Sequence, residues 1–126
     1  SVVYTNPEIA CIGLTEKDLN EIHEGDFAPS MSTDEPFVPY EVHKLPMTFS
    51  GRFVAENEGE MGLCKVIVDK RSKTLIGVHM IGNPCSEFVA AASFAVRMGY
   101  TVAEFKQVVF PHPTVGEVLR EVIMEA

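Results

Sequence analysis

Two runs of apolar residues alternating with polar or small ones, Leu63 to Asp69 and Leu75 to Ile81, stand on either side of the polar link Lys70-Arg71-Ser72-Lys73. That pattern predicts an antiparallel hairpin. Side chains alternate between faces along a strand, so Cys64, Val66 and Val68 share one side, as do Ile76, Val78 and Met80. These six are expected to form the core faces of adjacent strands. His79, on the other side with Gly77, reads as a surface strand residue.

The flanking sequence extends this nucleus. Val2-Val3-Tyr4 and Ile9-Ala10-Cys11-Ile12 are short β-type runs separated by the turn signal Asn6-Pro7, and the second ends at Gly13. Thr15-Glu16-Lys17-Asp18 opens a polar helix to about Glu24, with Leu14, Leu19 and Ile22 as its buried side and Gly25 as its stop. Asp26 to Pro39 reads as a loop, Tyr40 to Met47 as extended, and Phe49 to Asn57 as irregular because of Gly51 and Gly59. A helix runs from Pro84 to Met98 and ends at Gly99. It carries two apolar stripes, one of Phe88, Ala91, Ala92, Ala95 and Met98, the other of Val89, Ser93 and Val96. One stripe can cover the sheet, and the second is expected to meet another subunit. Thr101 to Val108, capped by Thr101 with Glu104, and Thr114 to Met124 complete a helical C-terminal third. Strands, a helix, a hairpin and then consecutive helices give an α+β fold, an antiparallel sheet with helices packed on one face.

Composition narrows the function classes. A chain of 126 residues, 46% hydrophobic, supports one ordinary domain. Its formal net charge of −8 argues against a nucleic-acid surface and against anionic membranes. No stretch approaches the roughly 20 apolar residues of a membrane span, and Ser1-Val2-Val3-Tyr4 lacks the form of a secretion signal, so an intracellular, soluble protein is expected. Cys11, Cys64 and Cys85 are too dispersed for a disulfide framework and read as buried free thiols. His23, His43, His79 and His112 lack metal-ligand spacing, so no metal site is expected. Without Gly-x-Gly-x-x-Gly, the chain has no sequence means of laying a dinucleotide pyrophosphate on a helix N-terminus.

The residues that carry chemistry lie near the C-terminus. In Phe110-Pro111-His112-Pro113-Thr114, two prolines restrict the backbone around an imidazole, and Glu117 lies where a first helical turn brings its carboxylate back toward the ring. Histidine accepts and returns a proton near neutral pH, and a neighbouring carboxylate can orient it. The pair therefore suits taking a proton from a thiol. Thr114 and Glu117 equally fit a helix capping box, in which Glu117 bonds back to the Thr114 amide. Spacing alone favours the capping reading.

Three stretches now resemble one family in the same order: Thr5-Asn6-Pro7-Glu8-Ile9-Ala10-Cys11-Ile12-Gly13-Leu14-Thr15-Glu16, Ile76-Gly77-Val78-His79-Met80-Ile81-Gly82, and His112-Pro113-Thr114-Val115-Gly116-Glu117. Together they are similar to the C-terminal dimerisation domain of flavoprotein disulfide reductases, most of all the dihydrolipoamide dehydrogenase branch, over essentially the whole chain. The sequence departs from the family pattern at Phe110-Pro111, where a His-x pair commonly precedes the His-Pro, and at Gly116, where serine is frequent. The stretch from Gly25 to Lys44 is also longer than usual.

The resemblance implies a homodimer in which His112 is the base that deprotonates a dihydrolipoyl thiol and Glu117 the carboxylate that orients it. The site would be completed by the other subunit's flavin and redox-active disulfide, with His112 and Pro113 the chain's only residues near that flavin. It further implies a cis peptide at His112-Pro113 and a packing role for Cys85. FAD and NAD would belong to the full-length enzyme, whose FAD domain, nicotinamide domain and closely spaced cysteine pair are absent here, so the chain reads as an inactive fragment of 1–126 from a larger flavoenzyme. Lipoyl-bearing proteins of 2-oxoacid dehydrogenase or glycine cleavage complexes would be its partners, in the cytoplasm or, in a eukaryote, the mitochondrial matrix. The alternatives are a glutathione reductase-like relative and a purely structural oligomerisation module.

Overall fold

The computed structural model of the chain describes residues 1–24 and 38–126. Five strands, β1 (Val2–Val3), β2 (Ile9–Gly13), β3 (Tyr40–Leu45), β4 (Leu63–Asp69) and β5 (Leu75–Ile81), form one sheet in the order β1-β2-β5-β4-β3, and every pairing is antiparallel. The predicted hairpin is its centre. Its link is held by the Asp69 carboxylate, which accepts the Arg71 amide at 2.7 Å, while Lys73 takes a positive φ of 59°.

One face of the sheet carries the core. Ala10, Met80 and Cys64 lie in one cross-strand row and Val78 and Val66 in the next, all buried, and onto them pack α3 (Cys85–Arg97) and α5 (Glu117–Met124). The period of two breaks at Ile76. Val66 pairs with Val78 and Ile67 with Gly77, but Val68 pairs with Leu75, so a bulge skips Ile76. Leu75 is therefore buried in its place, Ile76 is only half-buried, and the freed Ile76 carbonyl accepts the Leu14 amide at 2.9 Å.

The helical layer expected on one face is there, and one helix lies on the other. The polar helix α1 (Glu16–Glu24) is tied to the reverse side, where Glu16 meets Lys65 at 3.4 Å and Asn20 accepts from the Tyr40 hydroxyl at 2.9 Å. Leu19 and Ile67 are fully buried outside the main core and belong to this smaller packing. Leu14, expected on the buried side of α1, is instead exposed, and Ile22 is half-buried. Thr15 and Asp18 cap the helix reciprocally: the Asp18 carboxylate accepts the Thr15 amide at 2.8 Å, and the Thr15 hydroxyl accepts the Asp18 amide at 3.1 Å. The Gly25 stop and the loop reading up to residue 37 lie outside the described residues.

Phe49 to Asn57, read as irregular, is instead largely helical. A 3-10 turn, Met47–Phe49, leads into α2 (Gly51–Glu56), because Ser50 is an N-cap whose hydroxyl accepts the Phe53 amide at 3.2 Å. Gly51 occupies the first turn, where its cost is small, and Phe53 fixes the helix by full burial. The helix α4 (Val102–Phe105) has the predicted capping box of Thr101 and Glu104 but stops at Phe105, short of Val108.

In α3 the stripes fall differently from the expectation. The two stripes do not separate into a sheet face and a partner face: Val89 and Val96 of one pack partly on the core beside Phe88 and Ala91 of the other, whereas Met98, in the stripe of Phe88 and Ala91, is 67% exposed. The uncovered face is Ala90, Phe94 and Met98, with Phe94 68% exposed. Helix rotation rather than composition sets which residues these are.

Candidate functional site

Residues 106–116 join α4 to α5 and carry the imidazole. Phe110 holds the segment to the body through Phe105, ring centroids 5.8 Å apart, and Val115 anchors it further on at 5% exposure. Between these anchors the His112-Pro113 peptide is cis, and the Thr114 hydroxyl donates to the Pro111 carbonyl at 2.7 Å. A turn closed in this way projects His112 away from the body.

This geometry decides between the two readings of Glu117. Helix α5 begins at Glu117 itself, Gly116 occupies the N-cap position without a side-chain cap bond, and Thr114 lies in the preceding turn. No capping box forms. Both Glu117 oxygens instead face His112 Nδ1, at 3.0 and 2.9 Å. A carboxylate only accepts, so Nδ1 is the donor, and in the neutral ring Nε2 keeps a lone pair. The burial is unequal: the His112 side chain is 81% exposed and that of Glu117 14%. The acid is fixed from within, and the ring it orients is open.

The two residues line a cavity of about 380 Å³ with Phe49, Phe110, Arg120 and Glu121, and within it the Arg120 guanidinium lies 3.3 Å from Glu121. One wall is aromatic and the other charged. Gly116 packs against Phe88: a Cβ there would lie 3.2 Å from the Phe88 Cβ, so the serine frequent at this position would crowd α3.

The other histidines and the cysteines lie elsewhere. His79 is half-buried rather than on the surface, and its Nε2 donates to the Leu14 carbonyl at 2.8 Å. His43, on the core side of β3, lies 3.5 Å from Glu41. Cys64 and Cys85 are buried as expected, and Cys11 is only half-buried. Burial pushes the Cys64 thiol up to about 12, and burial with the nearby Glu8 carboxylate pushes Cys85 up to about 11. Neither supplies a thiolate at neutral pH.

The contacts of two residues escaped the sequence reading. The Ser50 hydroxyl donates to the Thr114 carbonyl at 2.8 Å, tying α2 to the histidine turn. The Glu8 carboxylate accepts the Ser86 amide at 3.0 Å in the first turn of α3, and the Glu8 amide donates to Asn83 Oδ1 at 2.9 Å. A serine three residues before the apolar Phe53 was a usable N-cap signal for Ser50. Nothing local announced either long-range partner.

The family model described as the pyridine nucleotide-disulphide oxidoreductase dimerisation domain matches residues 1–123. The chain is 35% identical over its whole length to the mitochondrial dihydrolipoyl dehydrogenase of Caenorhabditis elegans and 36% identical over 121 residues to the dihydrolipoyl dehydrogenase of Thermus scotoductus. It spans 22% and 23% of those proteins. Among solved structures, LpdA from Mycobacterium tuberculosis superposes with a TM-score of 0.78 at 22% identity, over 99% of this chain and 24% of that one. The flavoprotein disulfide reductase RclA from Escherichia coli gives 0.78 at 18% identity, over 98% and 25%. Both show the same fold.

Proposed function

The chain belongs to the pyridine nucleotide-disulphide oxidoreductase dimerisation-domain family, and from that membership we propose that it is the interface domain of a longer dihydrolipoyl dehydrogenase in which His112 and Glu117 are the acid–base pair. The observation that carries this reading is the exposed imidazole whose Nδ1 is held by both oxygens of a nearly buried carboxylate. The relatives' names supply the substrate class.

The chemistry follows from the free Nε2. A thiol with a pKa near 8.5 is largely protonated at pH 7, and only its thiolate attacks a disulfide. Nε2 takes the thiol proton as the S–H bond breaks and an N–H bond forms, and the Glu117 carboxylate offsets the charge of the resulting imidazolium. Return of that proton in the reverse direction regenerates the thiol.

FAD and NAD, the cofactors this reading assigns to the whole enzyme, do not fit the residues of this chain. The N-terminus of α3 is already occupied by the Glu8 carboxylate, which would repel a pyrophosphate, and the chain has no Gly-rich fingerprint. They would be held by domains outside this sequence, and the chain alone would not turn over. A homodimer is supported by the family description and by the uncovered Ala90, Phe94 and Met98 face of α3, and lipoyl-bearing proteins of 2-oxoacid dehydrogenase or glycine cleavage complexes are the partners the reading implies. Among the described residues no helix is long and apolar enough to cross a membrane. The reading places the enzyme in the cytoplasm, or in the mitochondrial matrix in a eukaryote.

The test is His112→Gln in the complete protein, with flavin reduction by dihydrolipoamide measured separately from that by NADH. A loss of roughly 100-fold or more on the thiol side, with the NADH side and flavin content intact, is expected for removal of a positioned base. Unchanged thiol oxidation overturns the assignment. A parallel substrate panel with glutathione separates this reading from a glutathione reductase-like one.

A further inference from the structure

Ser50 is the only fully buried polar residue among the described residues, with 0% exposure. Its hydroxyl has both roles filled, accepting the Phe53 amide at 3.2 Å and donating its one proton to the Thr114 carbonyl at 2.8 Å, 64 residues onward. Capping α2 requires only the first bond. The second reaches across the molecule to the residue two beyond His112.

That bond joins a rigid anchor to an exposed turn. Ser50 lies between Met47 and Phe53, both fully buried, and its own amide donates to the Met47 carbonyl at 3.0 Å. The turn closes on itself through the Thr114 hydroxyl and the Pro111 carbonyl, but a bond within the turn cannot fix its orientation relative to the body. Glu117 orients the ring, yet it too is sequence-local to the segment that must be held. Val115 is buried on the far side of Thr114. The Ser50 hydroxyl supplies the polar tie to a distant, immobile part of the core.

We propose that Ser50 is a positioning residue for His112: its hydroxyl, through the Thr114 carbonyl, sets where the imidazole stands relative to the thiol it deprotonates. The proposal rests on the assignment of His112 as the proton acceptor. Small displacements of a positioned group carry large kinetic penalties, so loss of the tie would slow the thiol reaction without touching a reacting atom.

Ser50→Gly and Ser50→Ala in the complete protein test this, alongside His112→Gln. Alanine deletes only the hydroxyl; glycine, which removes the Cβ with it, is well tolerated at an N-cap and so keeps the experiment readable if the alanine variant fails to fold. Flavin reduction by dihydrolipoamide and by NADH is measured for each variant, with amide hydrogen exchange over residues 112–117. Expected for Ser50→Gly are a thiol-side rate roughly 10- to 100-fold lower, an unchanged NADH side and faster exchange at Val115 and Gly116. Equal losses on both sides would report general destabilisation and overturn the positioning role. So would an unaltered thiol-side rate where His112→Gln has lost it. If His112→Gln also leaves that rate intact, the base assignment falls as well.

Discussion

His112 and Glu117 form a pair in which the imidazole is exposed and the carboxylate that holds it is not: Nδ1 lies 2.9 Å from the nearer carboxylate oxygen, with the imidazole 81% exposed and the carboxylate 14%. An acid on the first turn of α5 cannot drift with solvent as an exposed one does, because Val118, Leu119, Val122 and Ile123 bury that helix completely along one side. The core thus constrains the rotamer of a ring that it does not cover.

Glu117→Ala should therefore remove much of the roughly 100- to 10,000-fold contribution of a positioned base, while leaving α5 intact. Thr114→Ala gives the contrasting result: with no N-cap role to lose, it should lower stability by less than Thr101→Ala, which removes a true capping residue at a cost of about 1 kcal/mol. Thiol-side kinetics and thermal denaturation of the three variants separate the two kinds of loss.

The capping box of α4 should weaken in acid. The Thr101 amide, then its hydroxyl, hold the Glu104 carboxyl below its ordinary value of 4.5. A depressed folded-state pKa stabilises the fold above the ordinary value, and that stabilisation is lost as pH falls through the lowered one. The Thr101 amide resonance should shift as pH is taken below about 4.5 and the bond to Glu104 is lost, and Glu104→Gln should flatten that response. A Thr101 amide indifferent to pH in the wild-type chain would contradict it.

Thiol labelling should distinguish the three cysteines. Cys64 and Cys85, with pKa values pushed up to about 12 and about 11, should resist alkylation at mildly basic pH until the fold is opened by denaturant. Cys11, half-buried on the reverse of the sheet, should modify first. Peptide mapping of a time course reads the order directly, and early labelling of Cys64 would be incompatible with its burial.

Phe94→Glu should leave the monomer's melting temperature close to wild type, since the side chain is 68% exposed, yet weaken self-association of the complete protein. Val96→Glu, on the partly buried stripe, should instead destabilise the fold. Sedimentation velocity and thermal melts report the two effects separately. A Phe94→Glu protein that dimerises as tightly as wild type would remove the uncovered face of α3 from the interface.

The sequence was most legible where the governing interaction is local. The alternating face of β4, the caps of α1 and α4 and the stop at Gly99 all depend on neighbours within a few residues, and each stands where the pattern put it, whereas in β5 the bulge at Ile76 put Leu75 on the core face instead. The reading failed wherever a distant group outweighed a local preference. Gly51 and Gly59 suggested an irregular stretch, but the burial of Phe53 and the cap at Ser50 made α2. The stripe of α3 that faces outward depended on how β2 and β5 receive the helix, which composition does not encode.

The same division runs through the candidate site. His112, its flanking prolines and Glu117 could be recognised from their order along the chain, since residue type and spacing limit what chemistry is available. Whether Glu117 closed a capping box or turned to the imidazole was settled only in three dimensions, because both arrangements satisfy the same spacing and differ in where α5 begins. Val115 packs, and the Ser50 hydroxyl bonds, at the turn before that helix, and Ser50 and Thr114, 64 residues apart, meet only in the folded chain.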